Sequence, residues 1–329
     1  MRSFPGIARL CSRRWTPLVP ALAMLLCGCG PAAAPAPLNT LWTVYEHDLA
    51  GAKYIDLTHA FSPSDPRGTG FGAEVVAPAR AAIELPGFMT KGQAFSYEGQ
   101  GAAITAYTLP TDQIGTQLDP PAHGNPLGAT ISDVPATVAV RPLVVIDVSA
   151  KTAADPGYIA QVSDVVAWEA RHGRIPAGAV VMFRTDWSKR WGDAARFTAR
   201  PFPGIALDAL KLLHLERHIL FHGHEPLDTD ATPDLVAERW LLTHDFAQAE
   251  GVANLDQVPQ AGALVSIGFA KPLGGSGGLA RFIAIAPADW PHGTTIAQAS
   301  GAPLPGQPAP LVRGPDNVLR ARASAGRGE

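Results

Sequence analysis

Leu143-Val-Val-Ile-Asp-Val148 is a short run of branched apolar side chains interrupted by one carboxylate. A run this short and this apolar predicts a strand covered on both faces. Ala179-Val-Val-Met-Phe183, Ile219-Leu-Phe221, Ala263-Leu-Val-Ser-Ile267 and Arg281-Phe-Ile-Ala-Ile285 have the same character. Helical stretches fall between them. Ser163 can cap a helix that runs to His172 and stops at Gly173 and Pro176. Residues 207–215 carry apolar side chains at helical spacing, and Pro233 opens a further helix to about Phe246. Upstream, residues 54–58, 75–85 and 103–109 read as strands bounded by Pro and Gly. Strands first, then strands alternating with helices, predict an α/β domain: a mixed β-sheet core with flanking helices.

The ends differ from this body. Arg13 and Arg14 precede an apolar run from Trp15 to Gly28, too short to cross a bilayer, which takes about 20 residues. Positive residues, a short apolar stretch and small residues after it predict an export signal over residues 1–29. Leu26-Cys27-Gly28-Cys29 resembles a lipobox, which would make Cys29 the lipidated first residue of a periplasmic, membrane-anchored protein. Ordinary cleavage nearby, giving a soluble periplasmic product, is the alternative. Ser12-Arg13-Arg14 resembles a twin-arginine signal. All three cysteines lie in this segment, so the domain beyond it has no disulfide, thiolate ligand or cysteine nucleophile. Residues 30–37 form a Pro/Ala linker, residues 38–300 the folded domain, and residues 301–329 a loose tail rich in Pro, Gly, Ala and Arg. With 47% hydrophobic residues a packed core is expected. A net charge of −3 with no Lys/Arg run argues against nucleic acid as partner.

Gln113-Ile-Gly-Thr-Gln-Leu-Asp-Pro-Pro-Ala-His123 concentrates the chemistry. Gly115 and two prolines suit a tight, rigid turn that could aim Gln113, Gln117, Asp119 and His123 into one space. Asp and His are common parts of hydrolytic metal sites, although Asp/His loops are also ordinary turn and capping residues. His222 and His224, two apart after a strand, would face one side, with Glu225 and Asp228 beside them. Trp187 and Trp191 could wall an aromatic pocket or fill core. Gly274–Gly278 reads as a mobile loop near the site; it could cradle an anion but lacks the Lys and helix of a P-loop. No serine-nucleophile elbow is present.

These segments resemble the cyclase family of metal-dependent hydrolases, which includes kynurenine formamidase and isatin hydrolase. The family motif H-x-G-T-H-x-D-x-P-x-H is matched here by Q-I-G-T-Q-L-D-P-P-A-H. Asp56-Leu-Thr-His59 is similar to its opening D-L-(S/T)-H, and Phe183-Arg-Thr-Asp-Trp187 to its R-T-G-W segment. Gly223-His-Glu-Pro-Leu-Asp-Thr-Asp230, Ala253-Asn-Leu255 and Gly278-Leu-Ala-Arg281 fall where later family segments fall. The resemblance implies the kynurenine formamidase-like α/β fold and a homo-oligomer. It further implies a hydrolase of carbon–nitrogen bonds other than peptide bonds, acting on a small amide, ester, lactone or lactam.

It also implies a divalent metal held by the motif's histidines and Asp, with the last histidine, His123, as acid–base catalyst. Both ligand histidines are glutamines here. The metal-site candidates are therefore Gln113, Gln117, Asp119, His224 and Glu250, and the substrate-binding candidates Trp187, His222 and Glu225. Amide oxygens are weak ligands that suit Mn²⁺ or Mg²⁺ better than Zn²⁺. Three outcomes are open: a harder metal, a shifted ligand set drawn from Asp119, His123, His224 and Glu250, or no metal. His244 is the nearest match to an upstream ligand histidine. The rival class is an inactive periplasmic binding or scaffold protein that kept the pocket.

Overall fold

The computed structural model describes residues 40–60, 75–109 and 111–296, with the backbone of 311–313 and 319–321. The export signal, Cys29 and the linker lie outside the described residues. Eight strands form the central sheet: β1 (Lys53–Asp56), β2 (Gln117–Asp119), β3 (Val140–Asp147), β4 (Val180–Arg184), β5 (Phe221–His224), β6 (Ala247–Glu250), β7 (Ala263–Phe269) and β8 (Gly278–Ala286). Their order is β1-β8-β7-β3-β4-β5-β6-β2, and β2 pairs back onto β8. Seven strands thus close into a barrel. β1 lies along the far end of β8, on the edge that β2 uses at the near end. β3, β4, β5 and β6 run parallel; the remaining pairings are antiparallel.

The strand period sorts the core. Leu143 and Val145 of β3, Val180 and Met182 of β4 and Phe221 of β5 join Leu118, Val265 and Phe282 in the inner cluster. Val144, Ile146, Val181 and Phe183 point outward, into a second cluster with Val165 and Trp168 of α1 (Val162–His172) and Leu210 of α2 (Leu207–Lys211). Alternate residues of one strand therefore serve two cores. α1 starts on a capping box made by Gln161 and Asp164, two residues earlier than the Ser163 cap expected, and ends at Gly173. α3 (Val236–Thr243) covers the outer face near β2.

Three readings change. Gln117–Asp119, expected inside a turn, is a strand, because β6 and β8 flank it and take up its backbone groups. The helix expected from Pro233 to Phe246 is shorter, and β6 begins at Ala247. In the stretch taken as a loose tail, residues 311–313 pair antiparallel with 319–321. Gly251 follows β6 at φ +60°, and a Cβ there would come within 2.7 Å of the Gly115 carbonyl, so only glycine fits between β6 and the motif.

Candidate active site

The barrel's outer face is polar over β5, β6 and β2. Each strand repeats one pattern: His222 and His224 out with Phe221 in, Gln248 and Glu250 out with Ala249 in, Gln117 and Asp119 out with Leu118 in. Register sets His222, Gln248 and Asp119 in one cross-strand row, with Glu250 beside Gln117 in the next. All six outward side chains are at most 3% exposed. Polar groups so buried need partners, because an unmade hydrogen bond there costs its full desolvation.

The partners are one another. Gln117 Nε2 faces three acceptors with its two N–H groups: Gln113 Oε1 (2.6 Å), Glu250 Oε2 (2.8 Å) and, at the longest reach, Asp119 Oδ1 (3.3 Å). Gln248 Nε2 donates to Glu250 Oε1 (2.7 Å) and Asp119 Oδ2 (3.2 Å). Two acids and two amides thus alternate around a closed ring in which every carboxylate oxygen faces an amide nitrogen at 2.7–3.3 Å. Burial is the largest cause pushing both acids upward. For Glu250 the charge of Asp119 adds to it; for Asp119 the amide donors oppose it.

The ring is anchored on three sides. Gln248 Oε1 accepts from the Thr229 hydroxyl (2.6 Å), which also lies 3.0 Å from His222 Nε2 and 2.9 Å from His224 Nε2. His224 Nδ1 is 3.0 Å from the Pro226 carbonyl, and His222 Nδ1 3.4 Å from His214 Nε2. Burial drives all three histidines down, His214 to about 3 and His224 to about 4, so they are neutral imidazoles. On the third side Gln113 Nε2 donates to Ser276 O (2.9 Å), against Gly277. The 274–278 loop holds an anion of its own: Asp112 Oδ2 accepts from the N–H groups of Ser276 and Gly277, both at 2.9 Å.

α3 adds Glu238, which burial raises to about 7 while it accepts the Thr229 N–H (2.9 Å). His123 ends the short 3-10 turn Pro121–His123 packed against α3. It is exposed, and its charge is felt by Glu238 and Asp228. Asp228 links this face to a cavity of 220 Å³ whose walls include Trp187, Phe197, Phe202 and Leu227, with Arg200 at 3.6 Å from Asp228. A larger cavity of 540 Å³, lined by His59, Ile114, Thr116 and Phe269, lies on the other side of the motif. Thr116 and Ile114 have the parity of inward-facing Leu118, so this space is turned away from the ring.

The sequence candidates therefore separate. Gln113, Gln117, Asp119 and Glu250 meet directly, and His222 and His224 reach them through Thr229 and Gln248. His123 lies exposed on the turn packed against α3, and Trp187 walls the smaller cavity. Glu225 is turned elsewhere: its Oε2 accepts from the Thr185 hydroxyl (2.8 Å) and the Ser188 N–H (3.2 Å), pinning the turn that carries Trp187. His244 is exposed and stacks on Trp240, away from the ring. Sequence reasoning missed Gln248, Thr229 and Glu238. Reading Gln248-Ala-Glu250 beside Gln117-Leu-Asp119 and His222-Gly-His224 as matching polar alternations would have found the first.

The donor set bears on the metal that the resemblance implies. Gln117 Nε2 faces three acceptors, so its amide cannot be turned without setting oxygen against oxygen; Gln248 is fixed likewise by Thr229. Nitrogen, which cannot ligate, thus faces both acids. Gln117 Oε1 is buried without a partner, but on the side of its amide away from the carboxylates. Among the described residues no three His, Asp, Glu or Cys side chains are arranged to hold a metal ion. These residues do not fit a divalent cation.

Known proteins share this framework. The Cyclase family model matches residues 55–231. The isatin hydrolase of Roseibium aggregatum is 34% identical over 188 residues, which span 53% of this chain and 71% of that one. The solved isatin hydrolase A from Ralstonia solanacearum superposes with a TM-score of 0.62 at 30% identity, over 78% of this chain and 100% of the other. A structure described as a potential metal-dependent hydrolase with cyclase activity shares the fold at 19% identity, with a TM-score of 0.52 over 71% of this chain and 98% of its own. The matched span contains β2, β5 and the motif between Gln113 and His123, and on these grounds the chain belongs to the cyclase family.

Proposed function

We propose that this protein is a hydrolase that opens a cyclic amide fused to an aromatic ring, a lactam of the isatin type. The observation behind this reading is the aromatic cavity of Trp187, Phe197 and Phe202, whose wall includes Asp228, a carboxyl within electrostatic reach of His123 and of the buried Glu250. A flat bicyclic ring suits such walls. Kinship with isatin hydrolases supports the same substrate class. Opening a lactam breaks the C–N bond. Water adds its oxygen to the carbonyl carbon, one of its protons must leave, and the departing nitrogen must gain one. His123, exposed and free to exchange with bulk water, takes the proton from water and returns it to nitrogen. No step is routed through a metal, since the ring's donors do not suit one. The divalent cofactor expected from the resemblance (Mn, Zn or Mg) is not part of this reading.

The test is loss of isatin absorbance with the full chain and its His123→Ala variant. Turnover that falls at least a hundredfold in the variant, the scale of general acid–base catalysis, supports the reading. Equal rates remove His123. No turnover of isatin or of an N-formyl aryl amide, with the intact compound raising Tm, moves the reading to the binding protein.

Two further proposals concern setting. Export with lipidation at Cys29 is tested by fatty-acid labelling of wild type against Cys29→Ser. Homo-oligomer formation draws support from Ile83, Leu85 and Phe88, all exposed on the segment between the paired strands 75–78 and 105–108. Sedimentation of Phe88→Asp against wild type tests it.

A further inference from the structure

We infer that the ring of Asp119, Gln117, Glu250 and Gln248 replaces the family's metal centre, so that amide N–H groups do the work of a divalent cation and the site is complete without one. The argument is geometric. A cation between two buried acids neutralises repulsion and satisfies lone pairs. Here each of the four carboxylate oxygens lies 2.7–3.3 Å from the amide nitrogen of Gln117 or Gln248; Gln248 gives one N–H to each acid, and the two N–H groups of Gln117 are shared among Glu250, Asp119 and Gln113. The orientation of both amides is forced, Gln117 by three acceptors and Gln248 by the Thr229 hydroxyl on its oxygen.

The third glutamine completes the device. Gln113 occupies the other ligand-histidine position of the motif. Its oxygen accepts from Gln117 at 2.6 Å and its nitrogen donates to Ser276 O at 2.9 Å. Gly277 leaves the room it needs: a Cβ there would lie 2.3 Å from Gln113 Nε2. Both histidine-to-glutamine departures therefore serve one network, and Gln248, which the motif does not include, closes it. A cation entering between Asp119 and Glu250 would have to break the ring and turn two amides whose oxygens are already engaged or directed elsewhere.

The inference rests on the assignment of this site as the family's catalytic centre, but its test reads metal and melting rather than turnover, so it fails separately from the lactam reading. The full chain, purified without chelator, is incubated with Mn²⁺, Zn²⁺ and Mg²⁺, desalted, and analysed by elemental mass spectrometry beside Asp119→Asn. The expected result is substoichiometric metal in both, with a Tm that neither the ions nor EDTA changes. The second variant is Gln117→Glu, which exchanges N–H donors for a third carboxylate. Its Tm falls in EDTA and recovers with Mn²⁺, because an all-oxygen cluster needs the cation that the amide made unnecessary. One equivalent of metal in wild type, absent from Asp119→Asn, overturns the inference. So does a Gln117→Glu protein whose Tm is indifferent to Mn²⁺.

Discussion

Thr229→Val should destabilise the protein by about 3 kcal/mol, through a cost worked from three contacts. The side chain is fully buried, and Val nearly matches its volume, so no cavity term enters. What is lost is the hydroxyl, which lies 2.6 Å from Gln248 Oε1, 3.0 Å from His222 Nε2 and 2.9 Å from His224 Nε2. One hydroxyl proton cannot serve both Gln248 and His224. His224 directs Nδ1–H to Pro226, so as a neutral ring it offers a lone pair at Nε2. Two bonds therefore hold at once: one donated, and one accepted from His222. Each partner left unsatisfied in the interior costs roughly 1–3 kcal/mol, and relief of the hydroxyl's own desolvation offsets part of that. Equilibrium urea unfolding, with the slope m unchanged, reads the difference. Thr229→Ser keeps the hydroxyl and loses a methyl, so it should cost only about 1 kcal/mol. A Val variant within about 0.5 kcal/mol of wild type would refute the claim that this hydroxyl ties the histidines to the ring.

Gly277→Ala should cost about 1–3 kcal/mol by overpacking, since its methyl must displace the Gln113 amide, and isatin turnover should fall by more than that loss of stability explains; an unchanged chevron and rate would contradict it. His214 has a folded pKa depressed to about 3, so the unfolded chain binds its proton first and stability falls as pH drops below 6.5, by about 1.4 kcal/mol per unit. His214→Phe should therefore lose less stability than wild type between pH 6.5 and 4.5 in urea titrations, and equal slopes would show that His214 is not held neutral. Glu225 is raised to about 7 by burial, so its contribution is lost as pH rises from 4.5 toward 7. Glu225→Gln should gain up to about 3 kcal/mol on wild type across that window, visible as a Tm difference that widens with pH. Trp187→Ala should raise the KM for isatin while kcat/KM for a small aliphatic lactam changes little.

The parts of the fold that bury apolar residues on both faces announce themselves. Leu143–Val148 has one polar position, Asp147, and Ala179–Phe183 none, so neither shows a helical period, and each falls within three residues of its strand. β2 and β6 are the reverse case. Gln117-Leu-Asp119 and Ala247-Gln-Ala-Glu250 are short, and their outward residues are polar because they face one another beneath α3 rather than an apolar layer. By local propensity Asp and Gln among Gly and Pro mean a turn; pairing with distant strands overrides this. The chemistry in the motif was legible from residue types, and the parity of His222 and His224 from their spacing. The closing of the ring by Gln248 needed register, which a sequence does not carry. Glu225 misled because its neighbours in the chain, His222 and His224, do face the ring, whereas the turn after β5 swings Glu225 toward Ser188.

The acid face sets a constraint on how the site can work. Asp119, Glu238 and Glu250 are all buried within one small region, and among the described residues none is paired with Lys or Arg. Three full negative charges there would cost far more than dipoles can return. The N–H groups of Gln117, Gln248 and Thr229 reduce that cost without removing it, and the neutral histidines beyond Thr229 contribute no positive charge. The economical state retains a proton on the Asp119/Glu250 pair, the direction in which burial displaces both acids. A retained proton makes the ring a hydrogen-bond donor as well as an acceptor. On the mechanism proposed above, the exposed His123, within electrostatic reach of Glu238 and Asp228, would move the proton while the buried pair holds its own. On this arrangement, replacing the ring's acids one at a time by their amides should be tolerated structurally, because each loses charge and keeps shape. The combination Asp119→Asn with Glu250→Gln should not be, because it leaves four amides with too few acceptors between them.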